Sequence, residues 1–188
     1  MALPITIEKN KPLVGLAPMA GVTDAPFRKQ VMRYGASMVC SEMIASRMMV
    51  DELHHKKQMR RIEQKNDSIP CAVQLAGCDP DIMAEAARIL ESGGAPLIDI
   101  NFGCPVKKVV GGMAGSALMR DLAKAREIIQ SVANAVSIPV SIKMRLGWDE
   151  ASLNAPELAR MAEGCGVQMI TVHGRTRAQL YNGQADWD

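Results

Sequence analysis

The stretch CAVQLAGCDPDIMAEAARILESGGAPLIDINFG, residues 71–103, decides the fold. It opens on a short apolar run, Cys71 to Gly77, of β character. Asp79-Pro80 then marks a helix start, because a carboxylate caps free amides and proline fits the first helical position. Ile82, Met83, Ala86, Ile89 and Leu90 recur at helical spacing, and Gly93-Gly94 closes the segment. A second apolar run follows from Leu97 to Gly103. A strand, a helix and a second strand at this spacing make a βαβ unit, whose strands are parallel.

The same alternation extends to both sides. Further strand-like runs begin near Leu13 (LVGLAP), Met38 (MVCSEM), Val140 (VSIKMRLG) and Met169 (MITVHGRT). Asp121 precedes Leu122, Ala125, Ile128, Ile129 and Val132, and Asn154 precedes Leu158, Ala159 and Ala162, both at helical spacing. The six runs span 156 residues from Leu13 to Met169, about 31 per step, the spacing of a (β/α)8 barrel of about 250 residues. A doubly wound open sheet competes, but no GxGxxG follows the first strand. The expected fold is therefore α/β, a (β/α)8 TIM-barrel type that stops after about six βα units, with residues 1–188 forming one partial domain.

Composition narrows the function classes. Of 188 residues, 48% are hydrophobic and 22% charged, which supports one sizeable core and excludes global disorder. A net charge of +2 neither demands nor forbids a nucleic-acid partner. Two Phe, two Tyr and two Trp against 14 Met argue against a protein that stacks single-stranded bases on aromatic platforms. No apolar run approaches the roughly 20 residues of a membrane span. The first residues lack the basic head and long apolar run of a secretory signal, so a cytoplasmic protein with no membrane partner is expected. The five cysteines, Cys40, Cys71, Cys78, Cys104 and Cys165, are odd in number and form no CxxC pair, which argues against a disulfide framework or a metal site.

Polar residues gather where the strands end. Asp99 and Asn101, Lys143 and Arg145, and His173 and Arg175 are i, i+2 pairs closing apolar runs, with Gln74 and Glu42 near the ends of two others. Residues two apart on a strand share a face, and in a barrel these ends converge on one mouth. A paired strand end explains any one of them; consecutive strands repeating the pattern point to a site.

Gly103 and Pro105 bracket Cys104 where a strand becomes a loop. A free thiol titrates near about 8.5 and is mostly protonated at neutral pH, so a thiol held there suits a proton donor. A nucleophilic thiolate would need a nearby histidine or helix N-terminus. The other four cysteines read as buried structural residues. Gly111, Gly112 and Gly115 fit either a mobile loop or plain turns. Lys143 within an apolar strand needs a partner, which an anionic or electron-rich ring would supply. His173, one strand over, either sits in the core or faces the same ring. The basic run His54–Arg61 is either a solvated helix face or a phosphate contact.

These residues resemble the flavin-dependent tRNA-dihydrouridine synthases, especially the bacterial B-type subgroup. The matching blocks are Ala17–Asp24 with Pro26-Phe27-Arg28, Ser41-Glu42-Met43, and Val73–Gly77. Asp99–Pro105 running on to Gly115–Leu118 follows, then Lys143-Met144-Arg145 with Gly147-Trp148, and His173–Thr176, in family order along nearly the whole chain. The resemblance implies a barrel that binds FMN, takes reducing equivalents from NADPH, and reduces the C5=C6 bond of particular uridines in tRNA to 5,6-dihydrouridine. It implies that Pro18, Met19 and Ala20 lie against the flavin and that Gln74, Lys143 and His173 are its polar contacts. It assigns Cys104 the protonation of C5 after hydride reaches C6, and sets Asn101, Arg145 and Arg175 around the uracil.

The resemblance also carries a departure. The Asn-Gly-Asp and Gly-Arg-Gly segments of the family's last two strands, which hold the FMN phosphate, are not found here, nor is its helical C-terminal tRNA-binding domain. The expectation is a fragment, active in a longer monomeric form, with unpaired strand edges at both ends of the sheet. Two other readings remain: a dihydroorotate-dehydrogenase-like FMN barrel acting on a small pyrimidine, and an inactive remnant or partner-binding piece.

Overall fold

The computed structural model describes residues 3–5, 12–54 and 71–187. The βαβ unit read from the sequence is present as strand β4 (Cys71–Ala76), helix α3 (Pro80–Ser92) and strand β5 (Ile98–Phe102). Before it come β1 (Gly15–Leu16), α1 (Ala25–Arg33), β2 (Met38–Cys40), β3 (Ile44–Ala45) and α2 (Ser46–His54). After it come a short α4 (Lys107–Val110), a 3-10 turn over Gly115–Arg120, α5 (Leu122–Ala135), β6 (Val140–Arg145), α6 (Ala155–Gly164) and β7 (Met169–His173). The strands run in the order β1-β2-β4-β5-β6-β7, and every pairing is parallel.

The helix starts follow their caps. The Asp79 carboxylate accepts from the amides of Asp81 and Ile82, and that of Asp121 from Lys124. Asp24 does the same for Phe27 at the head of α1, with Pro26 in the first turn. The Asn154 side chain makes no cap bond to α6; it donates to the Met119 carbonyl and ties the helix start to the 3-10 turn.

The outward sheet residues Val73, Leu75, Ile98, Ile100, Phe102, Val140, Ile142 and Met144 share one core with the inner faces of α3, α5 and α6. Leu90, Ile128, Ile129 and Leu158 are fully buried there, each contributing about 1.5–3 kcal/mol of apolar burial. Residues of opposite parity, Gln74, Asp99, Asn101, Ser141, Lys143 and Arg145, face the concave side. Two adjacent faces, one apolar and one polar, thus come from a single period of two.

The second strand differs from its expected run. β2 stops at Cys40, and the chain pairs again only at β3, which joins the far half of β4. Between them Ser41 turns its hydroxyl into the ladder, accepting from the Gln74 amide at 3.0 Å where a strand carbonyl would otherwise serve. Glu42 therefore lies in a loop, where its carboxylate accepts from the Gly21 amide. Arg175 stands two residues beyond β7 rather than on it. Cys40, Cys71 and Cys165 are buried as expected, but Cys78 is only half-buried, because it follows β4 in the turn leading to α3. Most of the basic run His54–Arg61 lies outside the described residues.

Candidate active site

A line of hydrogen bonds crosses the concave face from β6 to the Cys104 turn. Ser141 Oγ donates to Asp99 Oδ1 at 2.6 Å. Gln74 Nε2 donates to Asp99 Oδ2 at 2.7 Å, and Asn101 Nδ2 donates to Gln74 Oε1, also at 2.7 Å. Asn101 Oδ1 then accepts from the amides of Gly103 and Cys104 at 3.1 and 2.8 Å. The sheet register aligns this line, since Gln74 pairs with Asp99 and Asp99 with Ser141 on neighbouring strands. All four side chains are buried.

Cys104 is held from both sides. Its amide belongs to the Asn101 turn, and its carbonyl accepts from the amide and hydroxyl of Ser116 at 3.1 and 2.9 Å. Gly115 makes that closure possible: its φ is +61°, and a Cβ there would lie 2.8 Å from the Cys104 carbonyl oxygen. Gly111 follows the end of α4. Of the two, only Gly115 packs against Cys104, whose side chain stays half-buried two residues past the end of β5.

On the concave face lies a trough of about 200 Å³, lined from β1 across the sheet to β7. Ala17, Pro18, Met38, Cys40 and Ala72 give it apolar walls, while Asp99, Lys143 and Thr171 supply polar groups. Burial pushes the Asp99 carboxyl above its ordinary range, against the hydrogen bonds from Gln74 and Ser141. Burial likewise lowers Lys143, against the attraction of Asp99. Both groups are thus pressed toward neutrality. Among the described residues no hydrogen-bond or ion-pair partner is found for the Lys143 amine. Cys40 is pushed well above the usual thiol range by burial, which suits an inert wall residue.

Pro18 lines the trough, but Met19 and Ala20 are exposed on the loop beyond it. That loop is laced by Thr23, whose hydroxyl accepts from the Met19 amide at 3.0 Å and donates to the Met19 carbonyl at 3.1 Å. Arg145 is buried and spans two loops: Nε donates to Gly103 O at 2.9 Å, and Nη1 to Thr176 O and Leu180 O at 2.9 and 2.8 Å. Its guanidinium also lies over the Tyr181 ring, 5.6 Å from the centroid. Arg175 donates to Gly183 O and lies 3.3 Å from His173 Nε2. His173 is lowered to about 4, first by burial and then by the positive charges of Arg145, Lys143 and Arg175, so its ring is neutral at pH 7.

Residues 15–188 match the profile of the dihydrouridine synthase (Dus) family. The chain belongs to that family. It is 56% identical over 173 residues to a protein named "Probable tRNA-dihydrouridine synthase" from Rickettsia conorii, covering 92% of this chain and 52% of that protein. Against tRNA-dihydrouridine synthase B of Pseudomonas putida the identity is 51%, covering 92% of this chain and 51% of the relative. The chain thus spans about half the length of the curated relatives it matches. A solved structure from Burkholderia cenocepacia, named as a phosphonomutase, superposes with a TM-score of 0.55 at 20% identity over 86% of this chain and 68% of its own. At that identity the likeness shows the fold alone, a parallel barrel with alternating helices.

In this Dus chain the structure joins Gln74, Asn101 and Cys104 in one bonded line and sets Pro18 and Lys143 in one trough. Met19 and Ala20 lie apart from both, and Arg145 and Arg175 are engaged mainly with loop carbonyls. Ser41 and Ser116 stood in the matching blocks without a role, and a third supporting residue, Ser141, was not singled out. Ser141 was within reach, because it stands two residues before Lys143 and shares its face.

Proposed function

We propose that this chain carries the catalytic centre of an FMN-dependent tRNA-dihydrouridine synthase, which uses NADPH as reductant and converts uridines of cytoplasmic tRNA to 5,6-dihydrouridine. The observation that carries the reading is the doubly held Cys104 turn above a trough in which the half-buried Lys143 amine has no hydrogen-bond or ion-pair partner among the described residues, in a chain of the Dus family. The residues present fit a flavin: apolar walls suit a planar ring, and the Lys143 cation suits its electron-rich edge. Pro18 and the loop after it, with Lys143, Gln74 and His173, would hold the ring. FMN bound there would supply the hydride for C6.

The remaining chemistry falls to side chains. Saturating a C5=C6 bond requires one proton at C5 as well as the hydride, so a proton-donating acid must stand at that carbon. The Cys104 thiol is that acid. Asn101 orients it through the turn, and Arg145 keeps the Cys104 loop and the loop after β7 at a fixed separation. Neutral His173 adds no competing charge next to Lys143. The Nη2 group of Arg145, which carries no hydrogen bond among the described residues, remains to meet the substrate.

The test is Cys104→Ala in the whole protein, with dihydrouridine in treated tRNA measured by nucleoside mass spectrometry. Dihydrouridine formation should fall by about 10²–10⁴-fold, the range of a positioned general acid, while flavin binding persists. Equal yield from the variant would remove Cys104 from the mechanism.

A further inference from the structure

Asp99 is the one carboxyl group in the hydrogen-bonded line, and Gln74 and Asn101 stand between it and the turn that carries the thiol. Its carboxylate accepts from Gln74 and Ser141, not from the Asn101 turn. Its influence comes from what a carboxylate is able to do. An ionised carboxylate only accepts, so the amide of Gln74 must present its NH2 to Asp99 and its oxygen to Asn101. Asn101 must then present NH2 to Gln74 and oxygen to the amides of Gly103 and Cys104. Reversing any amide in the line would set donor against donor or acceptor against acceptor, in a buried place where each unmade bond costs about 1–3 kcal/mol.

We propose that Asp99 is a positioning residue for Cys104: its buried carboxylate fixes the direction of the Gln74 and Asn101 amides and thereby holds the turn that carries the thiol. The role survives protonation. A neutral Asp99 would turn its hydroxyl to Ser141, whose oxygen also accepts, and keep an accepting oxygen toward Gln74. Asp99→Asn should therefore preserve the line. Asp99→Leu, similar in shape but without an acceptor, should release it.

The proposal rests on the reading of Cys104 as the proton donor, and its test is read out separately from that reading. Amide hydrogen exchange on the whole protein would be followed at Gly103 and Cys104, with Ile100 and Ile142 as strand controls. In Asp99→Leu the two turn amides should exchange ~tenfold faster or more while the strand controls hold. In Asp99→Asn they should stay within about threefold of wild type. Gln74→Met cuts the same line one step closer to the thiol and should reproduce the acceleration; it decides the matter if Asp99→Leu does not fold. With FMN saturating, kcat for tRNA reduction should fall in Asp99→Leu with KM for tRNA unchanged, and recover in Asp99→Asn. Turn amides as protected as in wild type in Asp99→Leu and Gln74→Met would overturn the proposal, as would acceleration in Asp99→Asn equal to that in Asp99→Leu. Wild-type protein that reduces no tRNA would sink the proposed function, and the exchange data would still decide the role of Asp99.

Discussion

Lys143 and His173 face the concave side from neighbouring strands, and burial works against a charge on each. For Lys143 the attraction of Asp99 offsets part of the cost and an anionic or electron-rich partner would offset more, so the residue should matter more to ligand binding than to folding. Lys143→Ala in the whole protein should weaken FMN binding by roughly ten- to a hundredfold, the range of one charge-assisted hydrogen bond, read by flavin fluorescence titration. Unchanged affinity would dissociate Lys143 from the flavin. For His173 the same penalty bears on folding. The unfolded chain takes up a proton near pH 6.5, whereas the folded one resists until about 4. Between those values the unfolded state holds more protons, so stability rises with pH and is lost as pH falls from 6.5 toward 4. Urea midpoints at pH 7, 5.5 and 4.5 should drop more steeply for wild type than for His173→Gln. Parallel curves would mean that the folded ring is free to charge.

Elements meet here through close main-chain contacts that a side chain would block. After β6, a Cβ on Gly147 would fall 1.9 Å from the Ser152 carbonyl oxygen and 2.8 Å from its carbon, and a backbone contact has little room to give. The Gly147 carbonyl also accepts from the Arg177 amide, and Arg177 and Arg120 both lie over the Trp148 ring, at 4.6 and 4.9 Å from its centroid. Gly147→Ala should cost about 1–3 kcal/mol by overpacking, measured by chemical denaturation, and shift Trp148 fluorescence as the stack loosens. A loss below about 0.5 kcal/mol would show that the turn opens freely. Element existence was legible because caps and periodicity are local: Asp79, Asp121 and the apolar stripes behind them mark α3 and α5 without any tertiary knowledge. The break between β2 and β3 was not, because it depends on Ser41 reaching the Gln74 amide of another strand. β1 is shorter than its apolar run for a similar reason, since pairing extends only as far as short β2 allows. The candidate site divides the same way. Alternation told which residues share the concave face, but the Ser141–Asp99–Gln74 alignment requires lateral register, which no single strand encodes.

At the scale of the molecule, the sheet supplies six of the eight strand positions of a closed barrel, and among the described residues neither β1 nor β7 is paired on its outer side. Apolar side chains lie at both margins: Leu13 and Val14 beside β1 are about half exposed, and Val172 on β7 is 45% exposed. Parallel sheets are ordinarily covered on both faces and closed at their edges, so open edges of this kind template association. The trough is lined from every strand of this sheet path, both edge strands β1 and β7 included, so closing the edges would also close the site. Sedimentation velocity on the 188-residue chain alone should show self-association that grows with concentration. Val172→Lys, which puts a charge on the open edge, should shift the population toward monomer without disturbing the Cys104 turn on β5. A chain that stays monomeric at every concentration, with or without the lysine, would mean that these edges are protected by their own twist. In that case the trough should bind FMN without further strands, whereas an associating chain should gain FMN affinity only when further strands pair with β1 and β7.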